Sequence, residues 1–258
     1  MVTTARQGGH IASSHADGTA TIVIDRPEAR NAFTSELYTQ LKAAVRRAGD
    51  DPTVDVAVIT GAGGSFSSGA DLHAAFTGLA EEGPSSGYAW WDELPWPTLL
   101  DCPIPVIAAV EGPCIGAGLL IALAADTVVA ADTAQFAFAE ARVGIADRWA
   151  PALMDGRVPR HIARELLLTG RTVGADEACR IGLVHEVVSH DALGEVVAEK
   201  IIAFRRTSPH ARALYKRYLA DLMDRPTEPG IRAALEHSDA AEGMRAVLER
   251  RVPAWSPR

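Results

Sequence analysis

The stretch PVIAAVEGPCIGAGLLIALAA, residues 105–125, decides which fold the sequence predicts. Its first six residues are all apolar, as is typical of a strand that is covered on both faces. A glycine-rich turn follows over residues 111–118, and residues 119–125 read as a buried helix. A strand, a glycine turn and a helix in this order present backbone N–H groups at the helix N-terminus, where such groups bind negative charge. The stretch therefore predicts one unit of an α/β fold with an anion-binding turn.

A single carboxylate, Glu140, lies twenty residues beyond Leu120 and closes the otherwise apolar run 135–140. Burial in such a run would raise the pKa of a glutamate toward a value that suits a proton carrier. An ordinary surface carboxylate is the alternative for a lone glutamate. We single out Glu140 as the candidate catalytic residue.

Length and composition indicate a globular protein. The chain has 258 residues, which suits one large domain or a domain with an appendage. With 48 % hydrophobic residues it can form a sizeable core, and its formal net charge of -8 argues against nucleic acid as the main partner.

The three cysteines, Cys102, Cys114 and Cys179, form no CxxC pair and have no histidine at metal-ligand spacing. This pattern favours a reducing compartment and predicts neither a disulfide nor a metal site. The first ten residues lack the apolar segment of a signal peptide, and no window holds 18 uninterrupted apolar residues. We therefore expect a cytoplasmic protein with no membrane partner.

The N-terminal part of the chain predicts a parallel crossover. A strand at 19–25, a helix from about 35 to 49 with Thr34 as its N-cap, and a strand at 54–60 follow one another. The second strand leads into another glycine-rich turn at 61–72, which enters a helix. The turn has neither the lysine of a P-loop nor the spacing of a nucleophile elbow, so nucleotide binding is the weakest hypothesis.

Residues 1–18 are polar and are expected to be loose or only partly paired, and residues 77–103 and 142–159 are expected to be irregular. The long connection 77–103 suggests a lid or a pocket wall, to which its tryptophans could contribute: Trp90, Trp91 and Trp96. Between these and the C-terminal part we expect helices at 161–168 and 175–180 and a strand at 183–188. From residue 191 onward the sequence predicts helices only, at about 191–206, 209–223 and 228–250.

Short segments of the sequence occur in the order found in the crotonase (enoyl-CoA hydratase/isomerase) superfamily, which the chain resembles over roughly residues 15–190. These segments are residues 25–32, 66–72, 105–112, 116–118, 134–136 and 182–184. The resemblance implies an α/β fold, a crotonase-like spiral of repeated ββα units with a C-terminal helical trimerisation segment. We divide the chain into a spiral core, 1–206, and that helical segment, 207–258. The family assembles into homotrimers or dimers of trimers.

The resemblance also implies an acyl-CoA thioester substrate and no cofactor other than the coenzyme A that is part of the substrate. The thioester oxygen would be held by the backbone N–H groups of Ala70 and Ala117. Removing a proton beside a thioester makes an enolate, which two such donors stabilise, and losing one donor typically costs about 10²–10³ in rate. Small neighbours let the substrate approach these donors: Ser68, Gly69 and Gly116. Ala117 stands where the family usually has glycine, which would strain the turn only at a positive φ.

The important departure from the family is Leu120, at the substrate-binding position where hydratases carry a second glutamate. Leucine cannot orient water, so the resemblance favours a 3-enoyl-CoA to 2-enoyl-CoA isomerase that uses Glu140 alone. A 2-enoyl-CoA hydratase in which another group replaces the missing glutamate is the alternative, and a catalytically silent acyl-CoA binding protein is the third. Some family members place an acid for other proton transfers near Asp147.

Several charged residues have two interpretations. Arg26 and Arg30 could reach the phosphates of coenzyme A or could be ordinary turn charges. Asp71 could contact the substrate or cap a helix, and the cap is preferred. Basic residues of the C-terminal helices could also meet the phosphates, although such helix faces are usually solvated: Arg212, Lys216 and Arg217.

Overall fold

The computed structural model describes residues 9–76, 94–226 and 238–255. The first described segment forms a hairpin, in which β1 (His10–Ala16) pairs antiparallel with β2 (Thr19–Asp25). Asp17 and Gly18 form its two-residue turn, and both have positive φ, as Asp-Gly turns between strands commonly do. Of the two expectations for residues 1–18, loose or only partly paired, the pairing is confirmed for 10–16.

The predicted crossover follows the hairpin. Helix α1 (Ser35–Asp50) begins at Thr34, whose side-chain oxygen accepts a hydrogen bond of 3.3 Å from the Leu37 N–H. Its apolar stripe is buried, since Leu37, Leu41 and Val45 are fully inaccessible. The chain then enters β3 (Val56–Gly61), which lies parallel to β2. Apolar positions at helical spacing produce this packing, because they fall on one face of α1.

Two sheets share the later strands. The large sheet has the order β1-β2-β3-β4-β6-β9, and the small sheet has the order β5-β7-β8. Twice in succession the chain passes from a strand of the large sheet to a shorter strand of the small sheet before a helix or 3₁₀ turn follows, so the backbone winds as a spiral. The strands are β4 (Val106–Val110), β5 (Pro113–Ile115), β6 (Thr127–Ala131), β7 (Gln135–Ala137), β8 (Val173–Gly174) and β9 (Glu186–Val188).

Helices cover both sheets. Residues 72–76 are helical, and the later helices are α2 (Trp96–Asp101), α3 (Ala117–Ala124), α4 (Trp149–Met154), α5 (Arg160–Thr169), α6 (Ala175–Arg180), α7 (Leu193–Arg205), α8 (Pro209–Asp221) and α9 (Ser238–Leu248). Helix α3 is fully buried, as its uniformly apolar sequence predicts. In the part of the chain that the structure describes, no helix is long and apolar enough to cross a membrane.

Two segments predicted to be irregular contain helices. Helix α2 lies within 77–103, and a 3₁₀ turn (Glu140–Val143) and α4 together occupy much of the region around 142–159. Both α-helices have six residues with a proline in the first turns, where its missing N–H costs nothing. Such short helices show too few turns for apolar periodicity to appear in the sequence. The boundary between residues 206 and 207 stays a prediction.

Candidate active site

A partly open cavity of about 140 Å³ lies where the two glycine turns meet the 3₁₀ turn that begins at Glu140. Its walls are mostly apolar side chains, and two regions of its lining carry the polar groups. We call residues 68–70 and 116–117 the donor wall, because they offer backbone N–H groups. We call Glu140 and Asp147 the acid wall.

The hydrogen bonds around the donor wall leave two N–H groups without acceptors. The Phe33 N–H donates to the Gly69 oxygen and the Asp71 N–H donates to the Phe33 oxygen, both at 2.8 Å, so Ala70 between them faces the other way. Ala117 is the first residue of α3 and has no intrahelical partner for its N–H. Within the described residues, neither the Ala70 N–H nor the Ala117 N–H has an acceptor. Both residues line the cavity.

The backbone of the donor wall requires glycine at two positions. Gly69 has φ +99, and a Cβ there would lie 3.0 Å from the Ile115 oxygen. Gly116 has φ +52, and a Cβ there would lie 2.8 Å from Glu140 Oε1. Ala117 is not among the residues with positive φ, so alanine causes no strain at this position. The absence of side chains on the two glycines lets the two turns and Glu140 approach one another.

The side chain of Asn31 holds the first glycine turn, a role that the sequence analysis missed. Asn31 is fully buried, and its amide group donates to the carbonyl oxygens of Ala62 at 2.9 Å and Ser65 at 2.6 Å. Its own oxygen accepts from the Arg26 N–H at 2.9 Å. Its φ of +58 is a conformation that asparagine adopts more readily than most residues. The sequence signal that could have identified this role is an asparagine directly after a turn with charged residues.

Glu140 lines the cavity beside the donor wall. Its Oε1 faces Gly116, and its Oε2 is buried without a hydrogen-bond partner in the described part of the chain. Burial, followed by the nearby charge of Asp147, raises the pKa of Glu140 to about 8. The carboxyl group is therefore mostly protonated at neutral pH.

Asp147 lines the same cavity and is the second carboxyl group of the acid wall. Its Oδ1 caps α4 by accepting from the N–H groups of Trp149 at 2.5 Å and Ala150 at 3.1 Å. Burial raises the pKa of Asp147 to about 6, against the lowering effect of those two hydrogen bonds. The two acids thus titrate on opposite sides of neutral pH, as an acid and a base of one site must.

Apolar and aromatic side chains complete the cavity. Leu120 is buried in the cavity lining. The position where the family has its second glutamate therefore presents no carboxylate to the cavity. Trp96 contributes to the wall as expected, whereas Trp90 and Trp91 lie outside the described residues. Tyr38 of α1 also lines the cavity, and the sequence analysis missed it because it directly follows Leu37 in an amphipathic helix.

Two other predicted site residues, Arg26 and Asp71, are not part of this cavity lining. Arg26 donates to the Asp71 carboxylate at 2.8 Å and to the Ala32 oxygen at 3.0 Å. Asp71 also accepts from the N–H groups of His73 and Ala74 at 3.1 Å, which confirms the preferred helix cap. Ser68 does line the cavity, and its hydroxyl donates to the Ala29 oxygen. Roles of Arg26 and Asp71 in substrate binding stay predictions.

Basic residues predicted to meet phosphates are engaged elsewhere or exposed. Lys216 pairs with the Asp126 carboxylate, and Arg212 donates to carbonyl oxygens at the end of α7. Arg30 is exposed, with φ +50, and its carbonyl oxygen accepts from the Ser68 N–H at 2.9 Å. Its side chain is thus more available for an anion than those of Lys216 and Arg212, and Arg217 is exposed as well. Over the described ranges, no group of three histidine, cysteine or acidic residues could hold a metal ion.

Comparisons with known proteins agree on one family. The enoyl-CoA hydratase/isomerase family model matches residues 14–258. A carnitinyl-CoA dehydratase of Citrobacter koseri is 38 % identical, over 92 % of this chain and 94 % of the relative. A solved carnitinyl-CoA hydratase from Mycobacterium avium has a TM-score of 0.80 and 32 % identity, covering 96 % of this chain and 98 % of its own. An enoyl-CoA hydratase from Mycobacterium avium subsp. paratuberculosis K-10 has a TM-score of 0.82 and 29 % identity, with the same coverage.

The spiral of paired strands and helices is the crotonase fold, and the cavity lies where its glycine turns meet. The chain belongs to the enoyl-CoA hydratase/isomerase family and is an enzyme of the crotonase type.

Proposed function

We propose that the protein catalyses the reversible addition of water to the double bond of a 2-enoyl-CoA thioester. One observation carries this proposal: Glu140 and Asp147 share a cavity with two free backbone donors, and their pKa values, about 8 and about 6, lie on opposite sides of neutral pH. At pH 7 the pair holds one proton, mostly on Glu140. Such a pair can give one proton and take another in the same turnover.

Each group then has one task in hydration. The Asp147 carboxylate takes a proton from water as the water oxygen bonds to C3. Electrons of the C2–C3 double bond move toward the thioester oxygen, and the Ala70 and Ala117 N–H groups stabilise that enolate. Glu140 delivers its proton to C2, which restores the thioester carbonyl. In dehydration the same steps run backwards, so Glu140 takes the C2 proton and Asp147 protonates the leaving hydroxyl group.

Asp147 supplies the second carboxyl group that Leu120 cannot. The relatives support this reading, because they are named carnitinyl-CoA dehydratase and carnitinyl-CoA hydratase, and both names describe elimination or addition of water. The acyl group of this chain's substrate is not assumed to be theirs.

Isomerisation of a 3-enoyl-CoA to a 2-enoyl-CoA is the second candidate function, and Leu120 favours it. An apolar residue at this position leaves one carboxyl group, Glu140, beside the donor wall. In isomerisation Glu140 takes a proton from C2 and returns it to C4, so the reaction needs no activated water. Asp147 would then affect only the pKa of Glu140.

Asp147→Asn separates the two candidates. Asparagine keeps the oxygen that caps α4 but cannot take a proton from water. We expect kcat/KM for hydration of 2-butenoyl-CoA to fall by about 10²–10⁴, the usual effect of removing a general base. Isomerisation of 3-pentenoyl-CoA, and exchange of the C2 protons of butanoyl-CoA in D₂O, should fall far less.

The matched control is Asp155→Asn, which changes an exposed aspartate paired with Arg160 on the surface. Hydration that survives Asp147→Asn unchanged would eliminate the water-addition proposal. Loss of isomerisation alongside hydration would contradict the separate tasks of the two acids. Binding of CoA esters by the wild type with no turnover and no exchange would instead support the silent binding protein.

We also propose a homotrimer, or a dimer of trimers, assembled through the C-terminal helices. Large apolar side chains support this, because Leu219 and Leu222 at the end of α8 are 66 % and 83 % exposed. Exposed apolar patches of this kind commonly mark contact surfaces between proteins. Sedimentation velocity of the wild type and of Leu219→Glu tests the assembly, and a wild-type monomer would contradict it.

The cytoplasm remains the proposed compartment. Cys102, Cys114 and Cys179 are all free thiols. Burial raises the pKa of the Cys102 and Cys114 thiols, which keeps them unreactive. Fractionation of cells that produce the protein would test the compartment directly.

A further inference from the structure

Tyr38 is a cavity residue that the proposed mechanism does not yet use. It lies on α1 and is only 3 % exposed. In the described part of the chain, no other residue of α1 lines the cavity. Its ring stacks on Phe33 with the ring centroids 4.8 Å apart, and it meets Trp96 edge to face at 6.2 Å. These contacts hold the ring in place within the cavity lining.

The electrostatics of the cavity keep this hydroxyl group protonated. Burial, followed by the charges of Glu140 and Asp147, raises the pKa of Tyr38 well above its ordinary value. Both carboxyl groups therefore lie close enough to act on Tyr38. A phenol that stays protonated at every working pH is a permanent hydrogen-bond donor and cannot be a base.

The proposed water addition needs such a donor. The attacking water gives one proton to Asp147 and uses one oxygen lone pair to form the bond to C3. Its second lone pair is free to accept a hydrogen bond, and the rest of the nearby lining is largely apolar, with Leu72, Leu120 and Val143. An unmet hydrogen bond in an apolar cavity is costly, so a donor at this point orients the oxygen.

We propose that Tyr38 is a further catalytic residue, whose phenolic hydroxyl donates a hydrogen bond to the oxygen at C3 of the acyl chain. This inference rests on the proposed water addition and makes it more specific. No proton leaves Tyr38 at any step, so the proton balance of the reaction between Glu140 and Asp147 is unchanged. The substrate class that follows is an acyl-CoA that bears an oxygen at C3, in preference to one that lacks it.

Tyr38→Phe is the direct test, because it removes the hydroxyl group and keeps the ring contacts. We compare kcat/KM for hydration of 2-butenoyl-CoA with the rate of C2 proton exchange in butanoyl-CoA, which has no oxygen at C3. The ratio of hydration to exchange should fall by about 10–10², as expected for one hydrogen bond made in the transition state. Tyr215→Phe, which changes an exposed tyrosine of α8, is the matched control.

Binding supplies an independent readout. Calorimetry with 3-hydroxybutanoyl-CoA and butanoyl-CoA should show that Tyr38→Phe loses most of the wild-type preference for the hydroxylated ester. Tyr38→Met, a flexible apolar replacement, keeps the experiment possible if phenylalanine impairs folding. Tyr38→Met should also lower the ratio of hydration to exchange and the preference for the hydroxylated ester.

The outcomes separate this inference from the function on which it rests. If the wild type hydrates 2-butenoyl-CoA and Tyr38→Phe keeps the wild-type ratio, the inference is wrong and water addition stands. If hydration and exchange fall together by the same factor, Tyr38 is a packing residue and the inference is again wrong. If the wild type shows exchange but no hydration, water addition fails, and a catalytic role of Tyr38 in it fails with it.

Discussion

The two walls of the cavity are built in opposite ways. The donor wall is backbone whose other N–H groups have partners: the Gly116 N–H donates to the Ala137 oxygen at 2.8 Å, and the Gly69 N–H donates to Ser67 Oγ at 3.1 Å. In the acid wall, Glu140 Oε2 is buried with no partner in the described structure. The donor wall costs the fold little, whereas the acid wall places ionisable groups where their charge is disfavoured.

The difference between the two walls corresponds to two kinds of catalytic group: backbone donors that stay fixed, and carboxyl groups that change their protonation state. A donor fixed by the backbone needs no reorganisation when charge develops on the substrate. A carboxyl group must change its protonation state during turnover, so it needs a pKa near the working pH, and burial supplies that pKa. The predictions below disturb one wall while leaving the other in place.

Loss of the acid in Glu140→Gln should have the largest effect. Glutamine fills the same space but can neither give nor take the C2 proton, so hydration and C2 exchange should both fall by about 10²–10⁴. Stopped-flow absorbance and NMR in D₂O measure the two rates. Glu195→Gln, an exposed residue of α7, is the control. Exchange at the wild-type rate would mean that another group is the base.

Gly116→Ala should be the next most damaging change, because it acts on the donor wall. The added Cβ would lie 2.8 Å from Glu140 Oε1 at a φ that disfavours alanine, so the carboxyl group and the turn must both shift. We expect kcat/KM to fall by about 10²–10³, as when one oxyanion donor is misplaced. Gly194→Ala, where a Cβ meets nothing within 4 Å, should keep wild-type activity.

The pH dependence should run in opposite directions for hydration and exchange on the alkaline side of neutral pH. Hydration needs an ionised Asp147 and a protonated Glu140, so kcat/KM should fall below pH about 6 and above pH about 8. Exchange needs an ionised Glu140, so its rate should rise through pH about 8. The charge of Asp147 raises the pKa of Glu140, and Asp147→Asn should therefore lower the midpoint of the exchange profile. Parallel profiles would disprove the assigned protonation states.

The smallest effect concerns stability. Between pH 4.5 and about 8 folded Glu140 keeps a proton that the unfolded chain has lost, so the stability of the wild type falls with rising pH in that window. Glu140→Gln removes this contribution. Its free energy of unfolding should exceed that of the wild type by about 1–2 kcal/mol at pH 8, or roughly 2–8 °C in Tm, and by less at pH 5. Calorimetry that shows a constant difference would contradict the buried acid.

Features that depend on near neighbours could be predicted from the sequence. The apolar strand before each glycine turn, the Thr34 cap of α1 and the burial of α3 follow from local pattern, and the structure confirms them. The hairpin turn at Asp17 and Gly18 also depends on near neighbours, and an Asp-Gly pair is a turn signal that can be read from the sequence. The six-residue helices α2 and α4 were missed, because helices of that length have too few turns for periodicity to identify.

The candidate site could be predicted only in part. Ala70, Ala117 and Glu140 lie in one cavity, as the resemblance implied, although their roles stay predictions. Asp147 was singled out without a defined position, and its position depends on the cap that starts α4. Tyr38 comes from a helix far away in sequence, and only the packing of α1 brings this residue to the cavity lining.

The sequence by itself determined the order of strands and helices around the two glycine turns, because that order depends on residue identity and on residues close in the chain. The spiral, the backbone donors Ala70 and Ala117 and the loss of the second glutamate at Leu120 were implied by the resemblance to the family. Only the tertiary structure decided that Glu140 and Asp147 share one cavity, that their pKa values lie on opposite sides of neutral pH, and that Tyr38 joins them. The physical reason is that a pKa depends on burial and on charges a few ångströms away, and these are set by packing between distant segments.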